Sequence, residues 1–130
     1  MRKTDIADNE HLLAVILEGI QQKKGYDIVK VDLTVLENTF CQFFVICHGN
    51  TNVQVGAIAE SVEERVREVF QLKPWHREGF ENAQWVLLDY GDIVVHIFQK
   101  EYRDFYNLEE LWADANVEKI VEKDIRVRQK

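Results

Sequence analysis

The chain has no apolar run long enough to cross a bilayer. A spanning helix needs about 20 predominantly apolar residues, whereas the longest unbroken stretch here, Leu12 to Leu17, has six. A signal-peptide pattern is missing too, because Met1-Arg2-Lys3-Thr4-Asp5 turns polar and acidic before any hydrophobic segment begins. These absences predict a soluble, cytoplasmic protein with no membrane partner. Basic charge is also scarce: 16 Lys and Arg stand against 23 Asp and Glu, for a net charge of −7. A chain so balanced offers no overall basic face to neutralise phosphates, so direct duplex nucleic-acid binding is not expected. There are only two cysteines, Cys41 and Cys47. On one strand they stand about 20 Å apart at about 3.3 Å per residue, beyond the roughly 7 Å between Cα atoms that a disulfide allows. They form neither a CxxC nor a metal-ligand spacing, and read as buried apolar fillers.

What remains is an ordinary globular composition. The 130 residues are 46% hydrophobic and 11% aromatic, enough for one core, and the length suits a single domain of about 100–150 residues. Charge is unevenly spread. Residues 116–130 carry Lys119, Lys123, Arg126, Arg128 and Lys130 against Glu118, Glu122 and Asp124, so the preceding residues hold an excess of acid. An acidic body attracts a basic protein. The division expected is a domain over 1–115 and a charged, partly disordered tail over 116–130.

Along the chain, Leu12, Leu13, Ile16, Leu17 and Ile20 recur at helical spacing after a cap at Asp5 or Asp8. Lys23-Lys24 in the last turn and Gly25 after it form a stop signal. Ile28 to Leu33, alternating from Val29 onward, reads as a strand with Lys30 and Asp32 on a wet face. Leu36-Glu37-Asn38-Thr39 is a turn, and Cys41 to Cys47 is apolar enough for a central strand covered on both faces. Thr51 with Gln54 has the form of a capping box. It opens a helix whose Val55, Ile58, Ala59, Val62, Val66, Val69 and Phe70 face the core while Glu60, Glu63, Glu64, Arg65, Arg67 and Glu68 face water. Pro74 ends that region, and residues 74–82 read as an irregular connection with a short extended piece.

The clearest local signal is a hairpin, Gln84 to Asp89 and Asp92 to Phe98 joined by Tyr90-Gly91, with Asp89 opposite Asp92. Alternation places Trp85, Leu87, Asp89, Asp92, Val94, His96 and Phe98 on one face. Val86, Leu88, Ile93, Val95 and Ile97 form the other, uniformly aliphatic face. The first face mixes aromatics with two carboxylates and a histidine, which suits a partner-binding surface; a covering helix is the plainer explanation. The two carboxylates lack a third ligand for a metal. Two short helical turns follow, with Asn107 and Glu110 as a second capping pair. Phe105, Leu108, Leu111 and Trp112 pack on the sheet there, leaving Arg103 and Tyr106 available. The order is α-β-β-α-β-β-α, a single α/β domain around a mixed sheet.

Four blocks, taken together and in order, resemble the ribosomal silencing factor (Iojap-like) family. They are Asp27 to Leu33, the strand–Gly49–helix junction, Trp85 to His96, and Arg103 to Trp112. The resemblance covers about residues 8–115 and leaves the basic tail outside. His48-Gly49-Asn50-Thr51 departs from the family's usual Thr-Gly-Thr/Ser junction, and Phe105 stands where a second tyrosine is frequent. The resemblance implies a nucleotidyltransferase-like fold without enzyme activity. It also implies binding to the large ribosomal subunit through the ribosomal protein numbered fourteen, a steric block to small-subunit joining, and repressed translation under nutrient limitation. Trp85, Leu87, Asp89, Tyr90, Asp92, His96, Arg103, Tyr106 and Trp112 are the partner-binding candidates, with no cofactor and no metal, and a homodimer is plausible for the free protein. Two other readings stay open. One is a nucleotidyltransferase-fold enzyme, against which the junction Gly49-Asn50 and the lone strand carboxylate Asp89 argue, since active members place Gly-Ser and an Asp-x-Asp pair there. The other is an adaptor for a different basic protein.

Overall fold

A computed structural model of the chain describes residues 6–36, 41–112 and 114–121. Helix α1 spans Ile6–Gln22 and buries Leu12, Leu13, Val15, Ile16, Leu17 and Ile20. Asp8 lies inside it and Asp5 lies outside the described residues, so neither is seen as the expected cap. Lys23 and Lys24 follow the helix instead of completing its last turn. Lys24, at φ +59, takes the left-handed position expected of Gly25. Strand β1 spans Tyr26–Asp32, and a 3₁₀ turn follows at Leu33–Val35, where the Asp32 side chain accepts from Thr34 N. The turn read at 36–39 falls, beyond Leu36, outside the described residues.

Strand β2, Phe43–Gly49, has six buried residues in seven, as a strand covered on both faces must. Helix α2, Asn52–Phe70, begins where Thr51 Oγ1 accepts from Gln54 N at 3.1 Å. The reciprocal half of the capping box is displaced by one residue. Gln54 Oε1 accepts from Asn50 N, and Nε2 donates to the carbonyls of Lys23 and Lys24, tying the start of α2 to the end of α1. The charged face of α2 is only partly solvated. Arg65 bonds Glu18 of α1 at 3.0 Å, and Glu63 takes both nitrogens of Arg77 at 2.6 and 3.1 Å. The two helices meet closely at Gly19, where a Cβ would lie 2.8 Å from Val62 Cα, and Ser61 Oγ donates to Gly19 O.

Strand β3 is short, His76–Glu78, and is the extended piece expected within 74–82. Strands β4, Trp85–Asp89, and β5, Ile93–Gln99, form the hairpin. Helices α3, Lys100–Tyr106, and α4, Leu108–Leu111, follow, then strand β6, Asn116–Lys119. The last strand is a correction, because residues 116–119 were expected in the tail. They are paired with β1 from Val29–Lys119 to Asp32–Asn116, and Lys30 meets Glu118 at 3.4 Å. A fully exposed, charged edge strand shows no apolar alternation, which is why it was not legible. Residues 122–130 lie outside the described residues.

The single mixed sheet runs β3-β4-β5-β2-β1-β6, with β2 and β5 parallel and the other neighbours antiparallel. One face packs α1 and α2 on Val45, Cys47, Val86, Leu88, Val95 and Ile97. The other carries a smaller cluster of Val29, Val31, Phe44, Ile46, Val94, Phe98 and Leu108, under α3 and α4. Both cysteines are free and buried. Burial pushes each thiol up to about 12, with Asp89 and Asp92 adding to the effect at Cys41.

Leu88 is fully buried on the helix side of β4, whereas Val53 is exposed on α2. Leu88→Ala is expected to cost about 2–5 kcal/mol, and Val53→Ala to stay within about 0.5 kcal/mol. Urea unfolding of both variants checks this; equal losses would contradict the two-layer core.

Candidate functional site

The hairpin faces are those that alternation predicts, but the register is not. Asp89 stands opposite Val94, Leu87 opposite His96 and Trp85 opposite Phe98. The strands are therefore offset by two residues from an Asp89–Asp92 pairing, and an even offset keeps every strand side chain on its face. The turn is Tyr90-Gly91-Asp92-Ile93, closed by Tyr90 N donating to Ile93 O at 2.9 Å. Gly91 at φ +92 supplies the left-handed first turn position.

Two candidates move as a result. Tyr90, a candidate for partner binding, instead continues the alternation of Val86 and Leu88 into the helix-side core and is buried. Burial raises its phenol above the usual range, and the hydroxyl has no hydrogen-bond partner among the described residues. Asp92 leaves the aromatic face, its Oδ2 accepting from Asn9 of α1 at 3.2 Å. Asp89 stays half-buried and accepts from Gly91 N at 2.8 Å. Both carboxylates thus brace the turn separately. Among the described residues no group of three His, Cys, Asp or Glu side chains is placed to hold a metal ion.

Trp85, His96 and Phe98 form the centre of the aromatic face. Trp85 Nε1 donates to His96 Nδ1 at 3.1 Å, and the indole stacks on Phe98 with centroids 4.9 Å apart. That bond requires the imidazole proton on Nε2, which is buried without a hydrogen-bond acceptor among the described residues. Burial lowers the His96 pKa to about 4, so the ring is neutral near pH 7. Phe44 meets His96 edge-on at 4.7 Å and Trp112 at 5.5 Å. His96 and Phe98 are buried; Trp85, Leu87 and Trp112 are half-buried at the margin. Tyr106 packs on Trp85 at 4.9 Å and Phe105 on Tyr106 at 5.1 Å, so a chain of rings runs from sheet to surface.

The end of the chain reverses part of the sequence reading. Phe105 and Leu111, expected on the sheet, are 77% and 73% exposed, while Arg103, expected to be available, is buried. The cause is Asn107 at φ +48, which separates α3 from α4 and breaks the helical phase. Asn107 meets Glu110 twice, its side-chain amide donating to the Glu110 carboxylate at 2.6 Å and its carbonyl accepting from Glu110 N at 3.1 Å, but the Asn107 side chain makes no bond to the α4 backbone. Arg103 donates to Glu109 at 2.7 Å, to His48 Nδ1 at 2.9 Å and to Tyr26 O at 3.4 Å. Burial first, and the Arg103 charge next, lower the His48 pKa, so His48 accepts as a neutral ring. Arg103, His48 and Glu109 line a cavity of about 610 Å³ where β1 begins and β2 and β6 end, with Lys100, Asp104 and Lys119 around it. Its buried cation is already matched by Glu109. At the Gly49–Thr51 junction, where a helix N-terminus attracts anions, the amides of Asn50 and Gln54 are occupied by side chains.

The family described as "Ribosomal silencing factor during starvation" matches residues 6–130. The chain belongs to this family. The match extends beyond residue 115 to include β6 and the basic tail. The chain is 41% identical over 108 residues to the ribosomal silencing factor of Halalkalibacterium halodurans, covering 82% of this chain and 90% of that one. It is 39% identical over 109 residues to the Bacillus subtilis factor, at 83% and 90% coverage. The chloroplastic protein Iojap of Zea mays is 39% identical over 74 residues, 57% of this chain and 32% of that protein. Among solved structures, a Chromobacterium violaceum protein superposes with a TM-score of 0.75 at 34% identity, covering 80% and 85% of the two chains. A Bacillus halodurans protein gives 0.71 at 39% identity, covering 80% and 95%.

The buried His96 makes stability depend on pH. Its folded pKa of about 4 lies below the ordinary 6.5, so between those values the unfolded chain binds the extra proton. This contribution is complete above the unfolded pKa and is lost as pH falls toward about 4, by up to about 3 kcal/mol at 1.36 kcal/mol per unit. His96→Phe is expected to flatten the fall in urea midpoint between about pH 6.5 and 4.5. An unchanged slope would mean that the ring is not held neutral by burial.

Proposed function

We propose that this chain silences ribosomes by docking on the large subunit, through the ribosomal protein numbered fourteen, and filling space that the small subunit needs. The observation that carries this reading is the chain of rings from Trp85 through Tyr106 to Phe105, fixed on the sheet at one end and exposed at the other. Aromatic side chains dominate binding energy at protein interfaces, and a net charge of −7 favours a basic partner over bare RNA. The starvation named in the family's description supports nutrient limitation as the setting. The mechanism is occlusion, carried out in the cytoplasm, with no bond made or broken. Relation to the nucleotidyltransferase fold belongs to the same proposal and is supported by the parallel β2–β5 pair with α2 between them in the chain. The exposed rings also suit pairing of two free copies. Of the nine candidate residues, Trp85, Leu87, Asp89, Tyr106 and Trp112 keep accessible surface on this face, and Phe105 and Leu111 join them.

A sucrose gradient with separated subunits tests the reading. The protein is expected to travel with the large subunit alone and to lower the yield of joined ribosomes. Equal binding to both subunits, or normal joining at saturation, would sink it. Phe105→Ala is expected to leave the melting temperature nearly unchanged and to weaken subunit binding by about 1–2 kcal/mol, roughly five- to thirtyfold. Unaltered affinity would remove Phe105 from the interface.

A further inference from the structure

Beside the hairpin's open end, a cavity of about 410 Å³ lies between the loop before β4 and helix α3. Trp85, Tyr102 and Tyr106 form its aromatic walls; Glu81, Asn82 and Gln84 supply its polar groups. No basic side chain lines it. The Trp85 and Tyr106 rings, 4.9 Å apart, meet at 47°, and so form a corner, not a flat stack. Trp85 is preset there by its bond to His96 and its contact with Phe98. Ring faces carry negative potential and attract a cation within about 6 Å of the centroid. The exposed Glu81 adds a full negative charge. Aromatic walls at an angle, a carboxylate and no competing cation are what a positively charged side chain needs.

We propose that this cavity takes the lysine or arginine side chain of a basic protein partner. The inference rests on the docking reading above and specifies its chemistry. A protein is favoured over a free amine because Tyr106 belongs both to the cavity and to the exposed rings, so the cavity opens onto the surface a partner covers. An acidic chain adds long-range attraction to a basic surface. The cationic side chain enters the corner, its charge over the rings and beside Glu81, while the partner's apolar groups meet Phe105.

The test uses the full chain and two probes, an acetyl-Gly-Lys-Gly-amide peptide and its Nε-acetylated form, which keeps the alkyl stem but has no charge. The charged peptide is expected to shift the Trp85 indole N–H resonance saturably, and the acetylated form to bind at least about tenfold more weakly. Glu81→Gln and Tyr106→Ala change exposed residues, so both are expected to melt like the unsubstituted chain. Glu81→Gln should bind the charged peptide about threefold more weakly, and Tyr106→Ala more weakly still. Equal binding of the two peptides, or unchanged binding by both variants, would overturn the proposal. Sedimentation with large subunits separates the two readings. If the chain binds subunits and both variants bind equally well, the cavity has no part in docking and the inference fails alone. If the charged peptide occupies the cavity but the chain sediments with neither subunit, the docking reading fails and the cavity serves another basic protein.

Discussion

The parallel pairing of β2 with β5 is the constraint on which the rest depends. Both strands are buried along nearly their whole length, so each needs apolar cover on both faces. The helix-side cover is generous, because α1 and α2 have 17 and 19 residues. The opposite cover is meagre, since α3 and α4 have 7 and 4. About three short turns of helix enclose His96 and Phe98 and meet β4 chiefly through Tyr106 on Trp85. Trp85 and Leu87 are therefore left at a margin between core and water. The candidate interface arises where a sheet face extends past the helices available to cover it.

So short a second layer is not self-supporting. Isolated helices below about 12–15 residues are marginal in water, and α4 is a single turn. Arg103 supplies the missing anchorage by joining Glu109, His48 and the Tyr26 carbonyl, which links α3 and α4 to β1 and β2. A buried guanidinium is tolerable only with its charge matched and its donors used. Glu109 meets the first need, and a neutral His48 helps to meet the second. The exposed Phe105 and Leu111 are carried on this clasp, so the outer part of the surface is positioned by buried electrostatics and the inner part by packing.

Period-two alternation made the hairpin faces legible, and they survived an error of two residues in register because such an error returns every strand side chain to its own side. Tyr90 and Asp92 were misplaced since they flank the turn, where one residue of difference decides between core and surface. The helical stripes of α1 and α2 were long enough to read directly. Residues 105–112 were not, as a left-handed Asn107 resets the phase and eight residues hold too few repeats to reveal it. Asn is among the few non-glycine residues enriched in that conformation, and it was the one available signal that Phe105 and Leu111 would part from Leu108. Arg103 was misread for a different reason. Its two nearest partners across the fold, His48 and Tyr26, come from 55 and 77 positions away, and no local pattern announces them.

The Trp85–His96 hydrogen bond gives the margin its character. A half-buried indole left to itself samples several rotamers, and fixing it on binding costs roughly 0.5–1.5 kcal/mol per side chain. Here the N–H is already engaged and the ring already stacked, so that ordering has occurred during folding. The arrangement needs a neutral His96 with a free Nδ1 lone pair; burial in an apolar layer enforces neutrality by depressing the pKa to about 4, and the indole N–H, which can only donate, selects the tautomer. The cost is an Nε2–H with no acceptor among the described residues, a polar group kept buried at some expense of stability. An apolar residue at position 96 would remove that expense and would also release Trp85. Retaining the imidazole therefore makes physical sense only if the direction of the indole matters, as it would for a ring that forms one wall of the proposed cation site.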